Sequence, residues 1–236
     1  MADDTRTTLQ RNLNAVRERI RAACARCGRN ANEILLVGVT KYVGPDVAKA
    51  LAELGVHDLA ESRPQELWKK ADAVPEARWH LVGHLQTNKV RRTLPSAALI
   101  HSIDRWELAE AISSEAVKQR LEVRGLVEVK LTTEPTKHGF DAEELRLRWE
   151  DLRSLPGLTI DGLMGMAALG ADEAGRRTAF RRLRELRVEL HSSDDPLPIL
   201  SMGMSDDFEI AIEEGATHLR IGSALFEGLP DEVATQ

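Results

Sequence analysis

Along the chain, the spacing of apolar residues switches repeatedly between short unbroken runs and stripes three or four residues apart. Leu9, Leu13, Val16, Ile20, Cys24 and Cys27 share one helical face, and Gly28 stands where a helix of residues 5–27 would end. The run Ile34-Leu35-Leu36-Val37-Gly38-Val39-Thr40-Lys41 then reads as a strand buried on both faces. Gly44-Pro45 closes it and puts proline at the first position of a helix. Strand-like segments recur near 34–40, 56–60, 78–82, 98–103, 123–130, 158–164, 197–202 and 217–222. Helical stripes follow at 45–54, 63–72, 104–120, 141–154, 172–190 and 206–214, with weaker ones at 84–92 and after 222. Ser62-Arg63-Pro64-Gln65 has the form of a capping box, and Asp104-Arg105-Trp106-Glu107 resembles one with aspartate as the cap.

Eight strand–helix units without a linker or a composition break predict an α/β fold, a single TIM-type (β/α)8 barrel. A doubly wound open sheet is the alternative, but Gly38 and Gly44 do not make the glycine-rich turn it usually carries after its first strand. Residues 1–236 are expected to form one domain, with 1–30 as an extra amino-terminal helix packed on the barrel.

Composition narrows the function. The net charge of −6 argues against a general nucleic-acid binder or an acidic-membrane binder. Met1-Ala2-Asp3-Asp4-Thr5 has neither a basic nor an apolar leader region, and no apolar run is long enough to span a bilayer, so a cytoplasmic protein is expected. Cys24 and Cys27 are spaced as a C-x-x-C pair, but they fall at the negative end of a helix dipole and no second pair completes a zinc site. They read as small apolar residues, and no residues are assigned to a metal.

In a barrel of this type, ligands sit at the carboxyl ends of the strands. Those ends carry Lys41, Glu61-Ser62, His80 with Gly83, Asp104, Lys137-His138-Gly139 and Met164-Gly165-Met166. The last two carry Ser201-Met202-Gly203-Met204-Ser205 and Arg220-Ile221-Gly222-Ser223. Barrels commonly hold phosphate between the loops after strands seven and eight, where Gly222 admits an oxyanion and Ser223 offers a hydroxyl. Ser205 is expected to cap a helix beginning at Asp206-Asp207, two acids that weigh against phosphate unless they point outward. A lysine facing such a cradle suits an aldehyde-bearing phosphate ester held as a Schiff base. Pyridoxal 5′-phosphate (PLP) and a sugar phosphate in an aldolase both meet that description.

Ordered blocks then carry a resemblance that covers nearly the whole chain. They are Val37-Gly38-Val39-Thr40-Lys41, Trp79-His80-Leu81-Val82-Gly83-His84-Leu85-Gln86-Thr87-Asn88-Lys89, Ser102-Ile103-Asp104-Arg105, Lys137-His138-Gly139 and Gly162-Leu163-Met164. Leu200-Ser201-Met202-Gly203-Met204-Ser205-Asp206-Asp207 and Arg220-Ile221-Gly222-Ser223 complete the set. In these the chain resembles the YggS/PROSC-type PLP homeostasis proteins, which share the barrel domain of alanine racemase. The resemblance implies a monomer with PLP on Lys41, Arg220 against the pyridine nitrogen and the phosphate on Ser205, Gly222 and Ser223. His80 and Met202 are further cofactor-binding candidates. The family's usual Gly-Glu-Asn is here Ala60-Glu61-Ser62, so Ser62 stands where an asparagine would approach the ring. Phe226-Glu227-Gly228 likewise interrupts the family's phenylalanine-glycine.

The function implied is PLP homeostasis, in which the cofactor is buffered and delivered to PLP-dependent apo-enzymes; no residue is assigned a catalytic role. The alternative is a PLP-dependent amino-acid racemase, which needs acid and base groups on both cofactor faces. The single tyrosine, Tyr42, is expected to point away from Lys41 if both lie on a strand, leaving only His80 and Lys137 as candidate bases. A pure scaffold would leave the strand-end lysine, arginine and serines unexplained.

Overall fold

The computed structural model describes residues 3–132, 138–192 and 196–229. Eight parallel strands close into a barrel in sequence order: β1 (Leu35–Val39), β2 (Asp58–Glu61), β3 (Arg78–Leu81), β4 (Leu99–Ile103), β5 (Val123–Glu128), β6 (Leu158–Met164), β7 (Ile199–Ser201) and β8 (His218–Ile221). Closure pairs β1 with β8, Val37 standing opposite Arg220, and leaves no sheet edge exposed. The helices are α1 (Asp3–Cys27), α2 (Pro45–Glu53), α3 (Pro64–Ala73), α4 (Val90–Thr93), α5 (Trp106–Gln119), α6 (Ala142–Arg153), α7 (Glu173–Leu190), α8 (Phe208–Glu213) and α9 (Ser223–Phe226). The weak stripe at 84–92 resolves into a 3₁₀ turn at Thr87–Lys89 followed by the single turn of α4.

Strand alternation divides the side chains into two layers. Outward residues such as Leu59, Trp79, Leu81, Leu163, Leu200 and Leu219 join the helices in the main hydrophobic core. Inward residues are mixed. Val37, Val39, Ala60, Leu99, Leu126, Met164 and Ile199 are apolar, while Asp58, His80, His101, Ser201 and Arg220 are buried and polar. The apolar stripe of α1 is buried as expected, and Arg19 and Arg26 pair with Glu209 and Glu213 of α8. Asn12 Nδ2 donates to the carbonyls of Leu225 and Glu227 (3.1 and 2.8 Å), tying α1 to α9 beneath the eighth strand–helix turn. Cys24 is buried, and burial pushes its thiol up, in keeping with a packing role.

Three capping expectations are corrected. Arg63 and Arg105 occupy the N-cap positions of α3 and α5, and neither caps through its side chain. Proline at the start of α3 removes a donor that a serine would have served. The Asp104 carboxylate is taken up by His84 and Arg105. At α8 the N-cap is Asp207, and Ser205 lies outside the helix.

Candidate functional site

The carboxyl-end mouth of the barrel starts at Lys41. The strand ends at Val39, so Lys41 and Tyr42 lie in the turn beyond it, both exposed. The Lys41 Nζ stands 4.8 Å from the Tyr42 ring centroid. Their expected separation on opposite strand faces is therefore corrected, because alternation governs strands and not turns.

Behind Lys41 lies a charged cluster that sequence reading missed. Thr40 Oγ1 donates to Glu61 Oε1 (2.8 Å), and the Lys70 ammonium donates to the same carboxylate and to the Thr40 carbonyl (2.8 Å). The side chains of Lys70 and Glu61 are 2% and 1% exposed, so the pair is shielded from solvent. Glu61 follows outward-facing Leu59 by two residues and thus points toward α3 and away from the mouth. The sequence does hold a signal for Lys70, which takes an apolar position in the buried stripe Leu67, Lys70, Val74. Ser62 is half-buried, and its N–H donates to Glu61 Oε2 at 3.3 Å. A Cβ on Gly83 would come 2.2 Å from the Ser62 carbonyl, so only glycine lets the β3 loop pass here.

The β7 and β8 loops form a cradle beside Lys41, and the expected placement across the mouth is corrected because β8 closes the barrel against β1. Ser205 Oγ accepts from the Ala224 N–H (3.2 Å), placing its hydroxyl at the first turn of α9 beside Gly222 and the exposed Ser223. Gly222 approaches the Val39 carbonyl so closely that a Cβ would sit 3.3 Å from it. The Asp207 carboxylate turns back to accept from the Met204 N–H (2.6 Å), and Asp206 is exposed, so neither acid fills the cradle. Gly203, at φ +93°, makes the turn; a Cβ there would meet Ala211 at 2.6 Å. Met202 is fully buried in the outer core, and its side chain contributes packing there.

Arg220 is the polar centre of the mouth. Its guanidinium is buried, with Nη1 donating to Ser201 O and Oγ (both 2.7 Å) and Nη2 to Gly165 O (3.1 Å). Other guanidinium N–H groups remain for a ligand. Burial pulls its pKa down to about 10, so the group still carries its charge at neutral pH. Glu128, at the end of β5, is pushed up to about 7 by burial and by the charge of Asp104, with Arg220 opposing.

From Arg220 a hydrogen-bonded chain runs down through the barrel. Ser201 Oγ meets His101 Nδ1 (2.8 Å), His101 Nε2 meets His80 Nδ1 (2.9 Å), and His80 Nε2 meets Asp58 Oδ1 (3.2 Å), which also pairs with Arg78. Burial would raise the Asp58 pKa, but hydrogen bonds from His80 and Arg78 outweigh it and hold the carboxyl well below the usual range. Burial keeps His101 neutral. One arrangement then satisfies every donor: Arg220 to Ser201, Ser201 to His101, His101 to His80 and His80 to Asp58. The reverse would leave the buried Ser201 hydroxyl without an acceptor. His80 thus lies within the barrel, with both ring nitrogens engaged, and meets the mouth only through His101 and Ser201. Lys137 falls outside the described residues.

The alanine racemase N-terminal domain family matches residues 11–230. A pyridoxal phosphate homeostasis protein of Aquifex aeolicus is 43% identical over 91% of this chain and 95% of its own. The chain belongs to the pyridoxal phosphate homeostasis proteins, within the alanine racemase N-terminal domain family. The family likeness extends to a Pseudomonas aeruginosa member at 35% identity over 93% of this chain and 95% of its own. In three dimensions, PipY of Synechococcus elongatus with PLP bound has a TM-score of 0.82 at 30% identity, covering 92% of this chain and 99% of that one. Alanine racemase of Clostridium difficile shares the family's barrel at a TM-score of 0.78 and 16% identity, over 98% of this chain and 59% of its own. No described helix is long and apolar enough to cross a membrane.

Proposed function

We propose that this protein binds PLP on Lys41 as a Schiff base and serves intracellular PLP homeostasis as a cytoplasmic monomer that buffers the cofactor for PLP-dependent apo-enzymes. The residues fit the group. An exposed amine and a hydroxyl-lined cradle lie side by side on one mouth, and the glycine at 222, close to the Val39 carbonyl, leaves its backbone uncovered by a side chain. Ser205, Gly222 and Ser223 would hold the phosphate and Ser62 would border the ring; His80 would act through His101 and Ser201. The names of the relatives and the PLP-bound state of PipY support the same reading.

The observation that carries the proposal is Arg220, a buried guanidinium fixed by Ser201 and Gly165. Bound PLP would supply an electron sink, but a guanidinium only donates and leaves the pyridine nitrogen unprotonated, which weakens that sink. Such a site retains the cofactor more readily than it drives a reaction on it. Borohydride reduction of the PLP-loaded protein should fix the group on Lys41, and Lys41→Ala should lose both the label and the visible absorbance. An unlabelled Lys41 would refute the proposal.

A second reading, a PLP-dependent amino-acid racemase, draws on Tyr42 beside Lys41. Racemisation requires acid and base on opposite cofactor faces, whereas these two neighbours belong to one turn. Exchange of the α-proton of alanine at enzymatic rates, lost in Tyr42→Phe, would establish it.

A further inference from the structure

His84, Asp104 and His138 come from three different loops, after β3, after β4 and before α6. Their candidate ligand atoms all lie within 4.8 Å of one another. His84 Nδ1 is 2.7 Å and His138 Nδ1 3.6 Å from the same oxygen, Asp104 Oδ2. We propose that these residues form a three-ligand site for a divalent transition-metal ion of the zinc type.

The carboxylate is held for that role. The Asp104 side chain is 1% exposed, and Arg105 Nη1 donates to its other oxygen at 2.5 Å while Arg105 Nη2 is anchored on the Leu85 carbonyl (3.0 Å). This leaves Oδ2 turned toward both imidazoles. Metal-ligating carboxylates are commonly fixed by such an outer partner. Ligands about 2.1 Å from a tetrahedral zinc stand about 3.4 Å apart, a spacing bracketed by the two nitrogen–oxygen distances above. Rotation of the exposed His138 ring closes the remaining gap between the nitrogens. The two rings stack with centroids 4.5 Å apart, and two imidazolium charges at that distance would repel. A neutral pair that shares a cation relieves the conflict.

Two imidazoles and one carboxylate favour zinc, nickel or cobalt over magnesium or calcium, which prefer oxygen. Three protein ligands leave an open position for water or an anionic oxygen. His84 and His138 also line a cavity of about 230 Å³ with Glu128 and Lys130, so that position suits a small carboxylate. The inference does not depend on PLP, because its ligands follow β3 and β4 and precede α6, whereas the proposed phosphate cradle follows β7 and β8.

Calorimetric titration of the chelator-treated full chain with zinc chloride tests it. One equivalent should bind with roughly micromolar affinity, and His84→Gln and His138→Gln should each weaken it at least about 10-fold. Both rings are substantially exposed, so circular dichroism should report folded variants. Cys27→Ser should bind zinc as the parent does. No binding at sub-millimolar zinc, binding that survives both histidine changes, or binding lost in Cys27→Ser would overturn the proposal.

Discussion

Removing the ammonium of Lys70 tests how the fold supports Lys41. In Lys70→Ala the Glu61 carboxylate stays buried and loses its cation, and the Thr40 carbonyl loses a donor at 2.8 Å. Breaking a buried pair by deleting one partner costs about 3–5 kcal/mol. Glu61 would keep its hydrogen bonds from Thr40 Oγ1 (2.8 Å) and the Ser62 N–H (3.3 Å), which places that loss near the lower end. The Thr40 carbonyl keeps the Val43 N–H (3.0 Å) and loses its second donor, a hydrogen bond that adds about 1 kcal/mol and brings the total to about 4 kcal/mol. For a chain of this size that lowers Tm by about 8–16 °C. Urea unfolding at constant m-value is the assay. A double variant, Lys70→Met with Glu61→Leu, should recover most of the loss, because the apolar pair strands no charge. A loss below about 1 kcal/mol in Lys70→Ala, or a double variant as unstable as the single one, would refute the reasoning.

At the cradle, Ser223→Ala should weaken PLP retention by about 0.5–1.5 kcal/mol, or about 2- to 12-fold, measured by equilibrium dialysis. Glu128 has a folded pKa raised from 4.5 to about 7, so its contribution to stability is full below pH 4.5 and is lost as pH rises toward 7. Glu128→Gln should therefore gain on the parent across that window, by up to about 3 kcal/mol in urea midpoint analysis; parallel curves would contradict the assignment. His218, drawn down to about 4 by burial and by His80, works the other way. It should cost up to about 1.4 kcal/mol per pH unit on acidification from 6.5 to 4, so the Glu128→Gln variant, freed of the opposing carboxyl, should lose stability more steeply on acidification than the parent. Gly203→Ala should destabilise through both its positive φ and the 2.6 Å approach to Ala211, and a thermal midpoint within error of the parent would count against that.

The barrel was legible in the sequence because parallel strands buried on both faces leave unbroken apolar runs, and turns such as Gly44-Pro45 mark where helices begin. That Lys41 and the β7–β8 loops share one mouth followed from chain order, but they stand side by side and not face to face, because β8 closes against β1. Finer placement depended on single-residue register. Ending β1 at Val39 moves Lys41 and Tyr42 into a turn, and counting β3 from Arg78 turns His80 into the barrel. Caps failed where a competing partner took the side chain, as at Asp104. The histidine–aspartate cluster was illegible because its members lie 20 or more residues apart and meet only when the loops are assembled.

The line of hydrogen bonds beneath Arg220 also gives the molecule a polarity along its axis. Each donor points the same way, so the bond dipoles reinforce one another, and the negative end rests on Asp58 at the floor while the cation sits at the ceiling. Asp58→Asn would remove that terminal charge far from any ligand, and the imidazole ¹⁵N resonances of His101 should report a changed tautomer balance. Unchanged resonances would mean the links act one by one. If they act together, the basal rim becomes a remote handle on the electronic character of whatever rests against the guanidinium above.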